Sequence, residues 1–425
     1  MKALLISQDE RHSFLLEQLE AEGNEVRLMA RHDTGAWRGL VERVHNLEEA
    51  KAFGPDMVLI DTPGQGALAK LLQDEGFKVF GGSKLQDKLA DNYLFGMSLL
   101  ENAGVDTLDY TQFDDVTEAS EYINGKHHPW LLRHPDGTCH NCKDDVDMQL
   151  HLEDLYQNNN LPKVFTLQKG LPDFVDGSMM LRPQFYLVGL FNSEGLMNPA
   201  LRMDIARNIL PDGQGVPTIE GCQITPVKTD EDLPKKSLKK LEKTLQGLRY
   251  TGWVFLGCTT DWDDSDGSLV VVDFQMTPPD GFWAACVRGL NMRLDHFLDR
   301  ALNPKRPNTP FEFYPGYVTS RKLTLPPYPF TEAPWVTSEI RSKMAKAGIP
   351  KTVFHREKWG VYWNDVFATE DGKLEACGPL LGYVVGRGET YEESAKEAQK
   401  IAMGIPIQYA QVKVDDCLSE INLSW

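Results

Sequence analysis

The run Leu269-Val270-Val271-Val272 limits the fold of this chain most, because four consecutive apolar residues, three of them β-branched, suit a strand covered on both faces. Val254 to Leu256 reads as its partner strand, and the polar stretch Asp261 to Gly267 as the hairpin turn between them. Asp273 and Gln275 end the second strand two residues apart, so they point to the same side of the sheet. Such a pair offers hard oxygen ligands to a magnesium ion carrying phosphates. The same spacing also fits the start of a solvated loop.

The N-terminal part alternates short strands with helices. Lys2 to Ile6, Glu25 to Met29, Met57 to Ile60 and Phe77 to Phe80 read as strands, and Ser13 to Glu22 and Ala67 to Asp74 as helices. This pattern predicts an α/β domain with a small parallel sheet and ligand loops at its strand ends. Further along, Lys84 to Ala103, Asp145 to Gln157, Leu233 to Leu248 and Tyr391 to Met403 read as helices, the last with Thr390 as N-cap. Trp130 to Arg133 and Leu380 to Val385 read as strands, and Pro304 to Pro310 as a linker.

At 425 residues the chain exceeds one ordinary core, and two to four domains are expected. Its 44 basic and 62 acidic residues leave a formal charge of −18, which argues against broad binding to nucleic-acid backbones. No apolar run is long enough to span a bilayer, and the first residues enter a strand directly, so a cytoplasmic location is expected. Seven cysteines, scattered from Cys139 to Cys417, suit reduced thiols.

Several segments occur in the order found in phosphoribosylamine-glycine ligase (glycinamide ribonucleotide synthetase). Val79-Phe80-Gly81-Gly82-Ser83-Lys84 resembles that family's turn before a helix, and Gly378 to Thr390 resembles its C-terminal strand and turn. Tyr328-Pro329, Val353-Phe354-His355, and Asp212-Gly213 with Pro217-Thr218 are supporting matches. The resemblance implies a multidomain α/β ATP-grasp fold: an N-terminal domain over residues 1–84, a two-lobed nucleotide clamp over 85–303, and a C-terminal domain over 304–425. It also implies an ATP- and Mg2+-dependent ligase that joins a small-molecule carboxylate to an amine through an acyl phosphate. Lysines would hold the phosphates, and acidic oxygens the magnesium.

The resemblance assigns the sites with departures. The family's phosphate lysine falls on Arg133, with Asp136 and Gly137 retained just after it, and its second nucleotide lysine falls on Tyr93; Lys84 belongs to the preceding turn. Arginine grips phosphate as a planar fork, and the glycine loop that follows is replaced by bulkier residues. Asp173 and Asp176 match the nucleotide hinge, and Asp273 and Gln275 match a metal-binding glutamate and asparagine, each with its chain length changed. Arg202, Asp204 and Arg207 match positions where ligands are approached, with Arg133 and Arg207 as the catalytic candidates, although an exposed ion pair reads the same way. His355 and Arg387 fall where the C-terminal domain faces the clamp.

At the amine end, Ser7-Gln8-Asp9-Glu10-Arg11 replaces a glycine-rich turn, and its carboxylates would repel a sugar phosphate. Asp61-Thr62-Pro63-Gly64 corresponds to a second loop there. Cys139 and Cys142, with His127, His128 and His134 nearby, form a pattern that also reads as a zinc site or as a loop of ordinary thiols. Asp261, Asp263, Asp264 and Asp266 lack the terminal glutamate of a calcium loop, and a hairpin turn accounts for them. The lysines from Lys235 to Lys243 read as a solvated helix face. The function expected is a carboxylate-amine ligase of altered substrate; the competing reading is a catalytically inactive scaffold with a protein partner.

Overall fold

The structure is a computed structural model that describes residues 1–134, 139–170, 185–207, 218–260, 269–304, 310–329, 351–354 and 359–413. The N-terminal strands are β1 (Lys2–Ser7), β2 (Glu25–Ala30), β3 (Met57–Ile60) and β4 (Val79–Phe80). All pairs are parallel, in the order β2-β1-β3-β4. The chain order reverses between β1 and β3, and loops leave the carboxyl ends of both strands there. After β4, Gly81 adopts φ +77°, and a Cβ at this position would sit 2.2 Å from the Ile60 carbonyl oxygen. Only glycine fits that turn.

A four-stranded antiparallel sheet follows, in the order β5 (Tyr110–Phe113), β8 (Phe165–Lys169), β6 (Trp130–Arg133), β7 (Cys139–Cys142). The inward faces of helices Val116–Ile123 and Asp145–Gln157 pack on it around Trp130, Leu132, Met148 and Phe165. The expected helix from Lys84 to Ala103 is two helices, Lys84–Asp91 and Tyr93–Asn102. Asn92 between them is extended, and its side chain accepts from the Phe95 N–H, so a strong capping residue restarts the helix.

The next strands are β9 (Phe185–Asn192), β10 (Gly195–Leu196), β11 (Ala200–Arg207), β12 (Ile219–Val227), β13 (Gly252–Thr260), β14 (Leu269–Gln275) and β15 (Tyr317–Thr324). They belong to one large sheet in the order β14-β13-β9-β11-β12-β15, continued by Leu380–Gly388 and Val361–Trp363. Because β12 pairs with β15, hydrogen bonding runs unbroken from the middle of the chain into its C-terminal part. Trp253 stacks on Phe297 and meets Phe282 edge-on, while Phe80 of the N-terminal sheet packs against Trp283. One hydrophobic core therefore joins the N-terminal sheet to the large sheet.

The expected helix from Leu233 to Leu248 is broken into Asp232–Lys236, a 3-10 turn Leu238–Leu241, and Glu242–Gly247. Leu238, Leu241 and Leu245 are still fully buried, as their spacing predicted. Helix Tyr391–Met403 begins with a complete capping box between Thr390 and Glu393. Among the described residues, no helix is long and apolar enough to cross a membrane.

Candidate functional site

The strands Gly252–Thr260 and Leu269–Gln275 pair antiparallel as their sequence predicts, with one consequential irregularity. Asp273 pairs with Gly257 while Val271 pairs with Cys258, leaving Val272 as an extra residue in a β-bulge. Val271, Phe274 and Met276 enter one core, while Val270 and Val272 pack instead on Leu108 and Leu131 of the four-stranded lobe. The bulge thus shifts the alternation, and Asp273 and Gln275 leave the face of Val271 to open toward the lobe. Strict alternation from Val271 would have placed them on its own face. The lobe is tied to this edge strand by the Val271 N–H, which donates to the Asp106 carbonyl at 2.9 Å.

Three of the sequence-assigned residues meet at this junction. Arg133, on the same side of β6 as Leu131, lays its guanidinium over the Tyr93 ring at 4.1 Å. Its Nε donates to Gln168 Oε1 at 3.0 Å. The Tyr93 hydroxyl donates to the Val272 carbonyl at 3.0 Å, next to Asp273. On the other side, the Tyr186 hydroxyl donates to Asp273 Oδ2 at 2.9 Å, reaching over Gly257, where no side chain intervenes. These contacts bring the expected phosphate cation to the backbone beside the expected metal carboxylate. Gln168 is fully buried, and its Nε2 has no hydrogen-bond acceptor among the described residues.

Lys84 lies elsewhere. It lines a groove of about 520 Å3 together with Gly66, Lys70, Ser83, Arg249 and Tyr250, none of which belongs to the Arg133 network. Asp136, Gly137, Asp173, Asp176 and His355 lie outside the described residues, as does the turn from Asp261 to Gly267, and nothing is assigned to the Arg207 side chain. Arg202 and Asp204 form a mostly buried pair at 3.0 Å, with Arg202 over the Phe185 ring. Burial pushes the Asp204 carboxyl up, against the pull of Arg202. Arg387 holds structure together: its guanidinium donates to the Arg288 and Leu290 carbonyls at the C-terminal end of helix Phe282–Gly289.

The cysteine-histidine pattern is described only in part, because the Cys139 side chain lies outside the described residues. His127 bonds Asp145 and His128 bonds the Pro129 carbonyl. His134, His140 and His151 gather as neighbouring rings, with centroids 5.0 and 4.7 Å apart. Among the described residues no group of three or more His, Cys, Asp or Glu is disposed to hold a metal ion, and Cys222, Cys258, Cys286 and Cys377 are free thiols.

A second polar cluster gathers at the carboxyl ends of β1 and β3. Asp61 Oδ2 accepts from Ser7 Oγ at 3.1 Å and from His12 Nδ1 at 3.0 Å, and both Asp61 and His12 are buried. Arg11 reaches Asp280 at 3.2 Å, and Asp280 also pairs at 2.8 Å with Lys322, whose side chain is 1% exposed. Burial alone would raise Asp280; Lys322 and Arg11 outweigh it and hold the carboxyl below its ordinary range. Glu10, expected to face a substrate, is instead fully buried against Arg43 and Thr34, because an uncompensated carboxylate there would be too costly. Gln168, Tyr186, His12 and Lys322 were not singled out by sequence reading. None stands in a recognisable motif, and only the pairing of distant strands brings them to their partners.

No family sequence model matches the chain. Among solved structures, phosphoribosylamine-glycine ligase from Thermotoga maritima superposes with a TM-score of 0.69 at 17% identity, covering 98% of this chain and 100% of that one. The biotin carboxylase domain of 2-oxoglutarate carboxylase from Hydrogenobacter thermophilus, solved with MgADP and bicarbonate, gives 0.62 at 11% identity over 98% of this chain and 92% of its own. N5-carboxyaminoimidazole synthetase from Staphylococcus aureus, solved with ADP, gives 0.59 at 12% identity over 95% and 97%. The parallel N-terminal sheet, the antiparallel lobe and the large antiparallel sheet follow the same architecture. The chain has the ATP-grasp fold.

Proposed function

We propose that the protein is an ATP-dependent ligase joining a small carboxylic acid to an amine, with nucleotide held between the lobe and β14. The observation that carries this reading is the network from Arg133 through Tyr93 to the Val272 carbonyl beside Asp273, with the buried Gln168 Nε2 lacking an acceptor among the described residues. A phosphate or ring nitrogen of a nucleotide is an acceptor of the kind that Gln168 needs. Arg133 supplies the positive charge, and the donors that do not reach Gln168 are those a phosphate would use. Asp273 and Gln275 offer two hard oxygens on one face, which suits magnesium in kind. Magnesium bound there would offset the charge of the transferring phosphoryl group. Tyr186 fixes the Asp273 carboxylate, so its orientation does not have to be set at the moment of binding.

A second reading is favoured by one feature of the same network. Arg133 is already stacked on Tyr93 and bonded to Gln168, an arrangement that also completes a self-contained contact between lobe and sheet. In that case the chain is an inactive scaffold and binds a protein partner. Purified protein with MgATP and a panel of carboxylic acid and amine pairs separates the readings through ADP release. For an active pair, oxygen label in the carboxylate should appear in the phosphate product. Absence of both nucleotide binding and ADP release would sink the ligase reading.

A further inference from the structure

We infer that the groove beside Lys84 and Arg249 binds a phosphate monoester, apart from the Arg133 network. The groove measures about 520 Å3, within the range of small-molecule sites. It lies where helix Gly66–Asp74, the turn after β4 and the turn before β13 meet. Its walls are preformed. The Gly81 N–H donates to the Thr251 carbonyl at 2.7 Å and ties the two turns together, while the buried Tyr250 hydroxyl donates to the Trp253 carbonyl at 2.9 Å. A ligand here would not have to order them.

The charge in the groove is unbalanced. Lys70, Lys84 and Arg249 line it against one carboxylate, Asp74, which is already paired with Lys70 on the same helix. Neither the Lys84 nor the Arg249 side chain has a hydrogen bond, ion pair or ring contact among the described residues. Asp87, the first acid of the helix that Lys84 begins, is taken up by the Gly64 and Gly66 N–H groups at 2.6 and 2.8 Å. Ser83 Oγ accepts from the Gln86 N–H at 2.9 Å and keeps its own hydrogen to donate. Lys84, Arg249 and Ser83 thus line one groove with unused donors, two of them cationic, in a chain whose net charge is −18.

The backbone at Arg249 is a separate sign. Arg249 follows Leu248, the cap of helix Glu242–Gly247, with φ +52°, the left-handed position that glycine usually fills. An arginine held there costs stability that glycine would not, and what it supplies in return is a guanidinium in the groove. A phosphate monoester carries close to two negative charges at neutral pH and three acceptor oxygens, which matches two cations and a hydroxyl. Leu85 and Leu248, the latter 48% exposed, add an apolar wall for the esterified body, a part that inorganic phosphate lacks.

Titration calorimetry of the full chain at low salt tests this, with glycerol 3-phosphate as the probe and inorganic phosphate and glycerol as controls. Glycerol 3-phosphate should bind saturably and more tightly than inorganic phosphate, and glycerol should not bind. Affinity should fall at least tenfold in both Lys84→Gln and Arg249→Gly. Arg249→Gly also relieves the left-handed residue, so it should unfold no lower than wild type, and its loss of binding is then not a loss of fold. Arg133→Met should bind the probe as wild type does; a matching loss there would put the anion in the clamp and overturn the groove. No saturable binding, unchanged binding in both groove variants, or inorganic phosphate binding at least as tightly overturns it too. Nucleotide binding at Arg133 does not enter these outcomes, so the groove and the ligase reading stand or fall separately.

Discussion

Replacing Arg133 by methionine should separate its structural contribution from its ligand contribution. The guanidinium over Tyr93 at 4.1 Å contributes about 1 kcal/mol at a partly buried site. Its charged donor bond to Gln168 contributes about 1.5–3 kcal/mol, since Gln168 is fully buried and water cannot readily replace the donor. Together Arg133→Met should cost about 3 kcal/mol. With an unfolding entropy of about 2.1 cal/mol/K per residue over 425 residues, that lowers the unfolding midpoint by about 3 °C. Bound nucleotide at a hundredfold excess over its dissociation constant adds about 2.7 kcal/mol to the wild type. The variant should lose that increment as well, and Arg133→Lys, which keeps a point charge without the fork, should recover part of it. Differential scanning calorimetry with and without MgATP reads both effects. A variant that unfolds about 3 °C lower yet keeps the whole nucleotide increment would refute the assignment of Arg133 to phosphate.

Three further outcomes follow from the packing. Burial raises Asp365 to about 6, so the folded state holds its proton more tightly than the unfolded chain does. The resulting stability is complete below the ordinary carboxylate range and is lost as pH rises through about 6. Relative to Asp365→Asn, wild type should therefore lose about 3 kcal/mol between about pH 3 and about pH 8, and a difference independent of pH would contradict this. Asp280→Asn takes the carboxylate from the buried Lys322 and should destabilise by about 3–5 kcal/mol in urea unfolding, while Asp280→Asn with Lys322→Met should recover much of the loss. Thr390→Ala removes the capping box and should cost about 1 kcal/mol without changing any nucleotide increment, which makes it a control distant from the clamp.

The fold was legible where local chemistry and tertiary packing agree. The β13–β14 pairing, the parallel N-terminal strands and the helix after Thr390 follow from apolar runs, alternation and capping residues. Two helices were read too long. Asn92 reads as an ordinary residue in an apolar helix until its side chain is seen capping Phe95, and the lysine-rich helix breaks around Ser237 although its leucine spacing persists. Asp273 and Gln275 were read correctly as sharing a side. The bulge that turns this side toward the lobe leaves no mark in alternation, because Val270, Val271 and Val272 are all equally apolar. Lys84 shows the limit of a linear motif: its turn forms as expected, but its side chain opens on a different groove from Arg133. The His12–Asp61 pair spans 49 positions and joins two strand ends, so only the sheet order reveals it.

Magnesium-dependent nucleotide binding between Arg133 and Asp273 is what a ligase of this design must show first. Titration calorimetry of wild type and Asp273→Ala with ATP, each with magnesium and with a chelator, measures it. Saturable binding to wild type that weakens at least tenfold without magnesium, and that loses this dependence in Asp273→Ala, is the predicted result. No binding at millimolar nucleotide, or binding indifferent to both magnesium and Asp273, would contradict it.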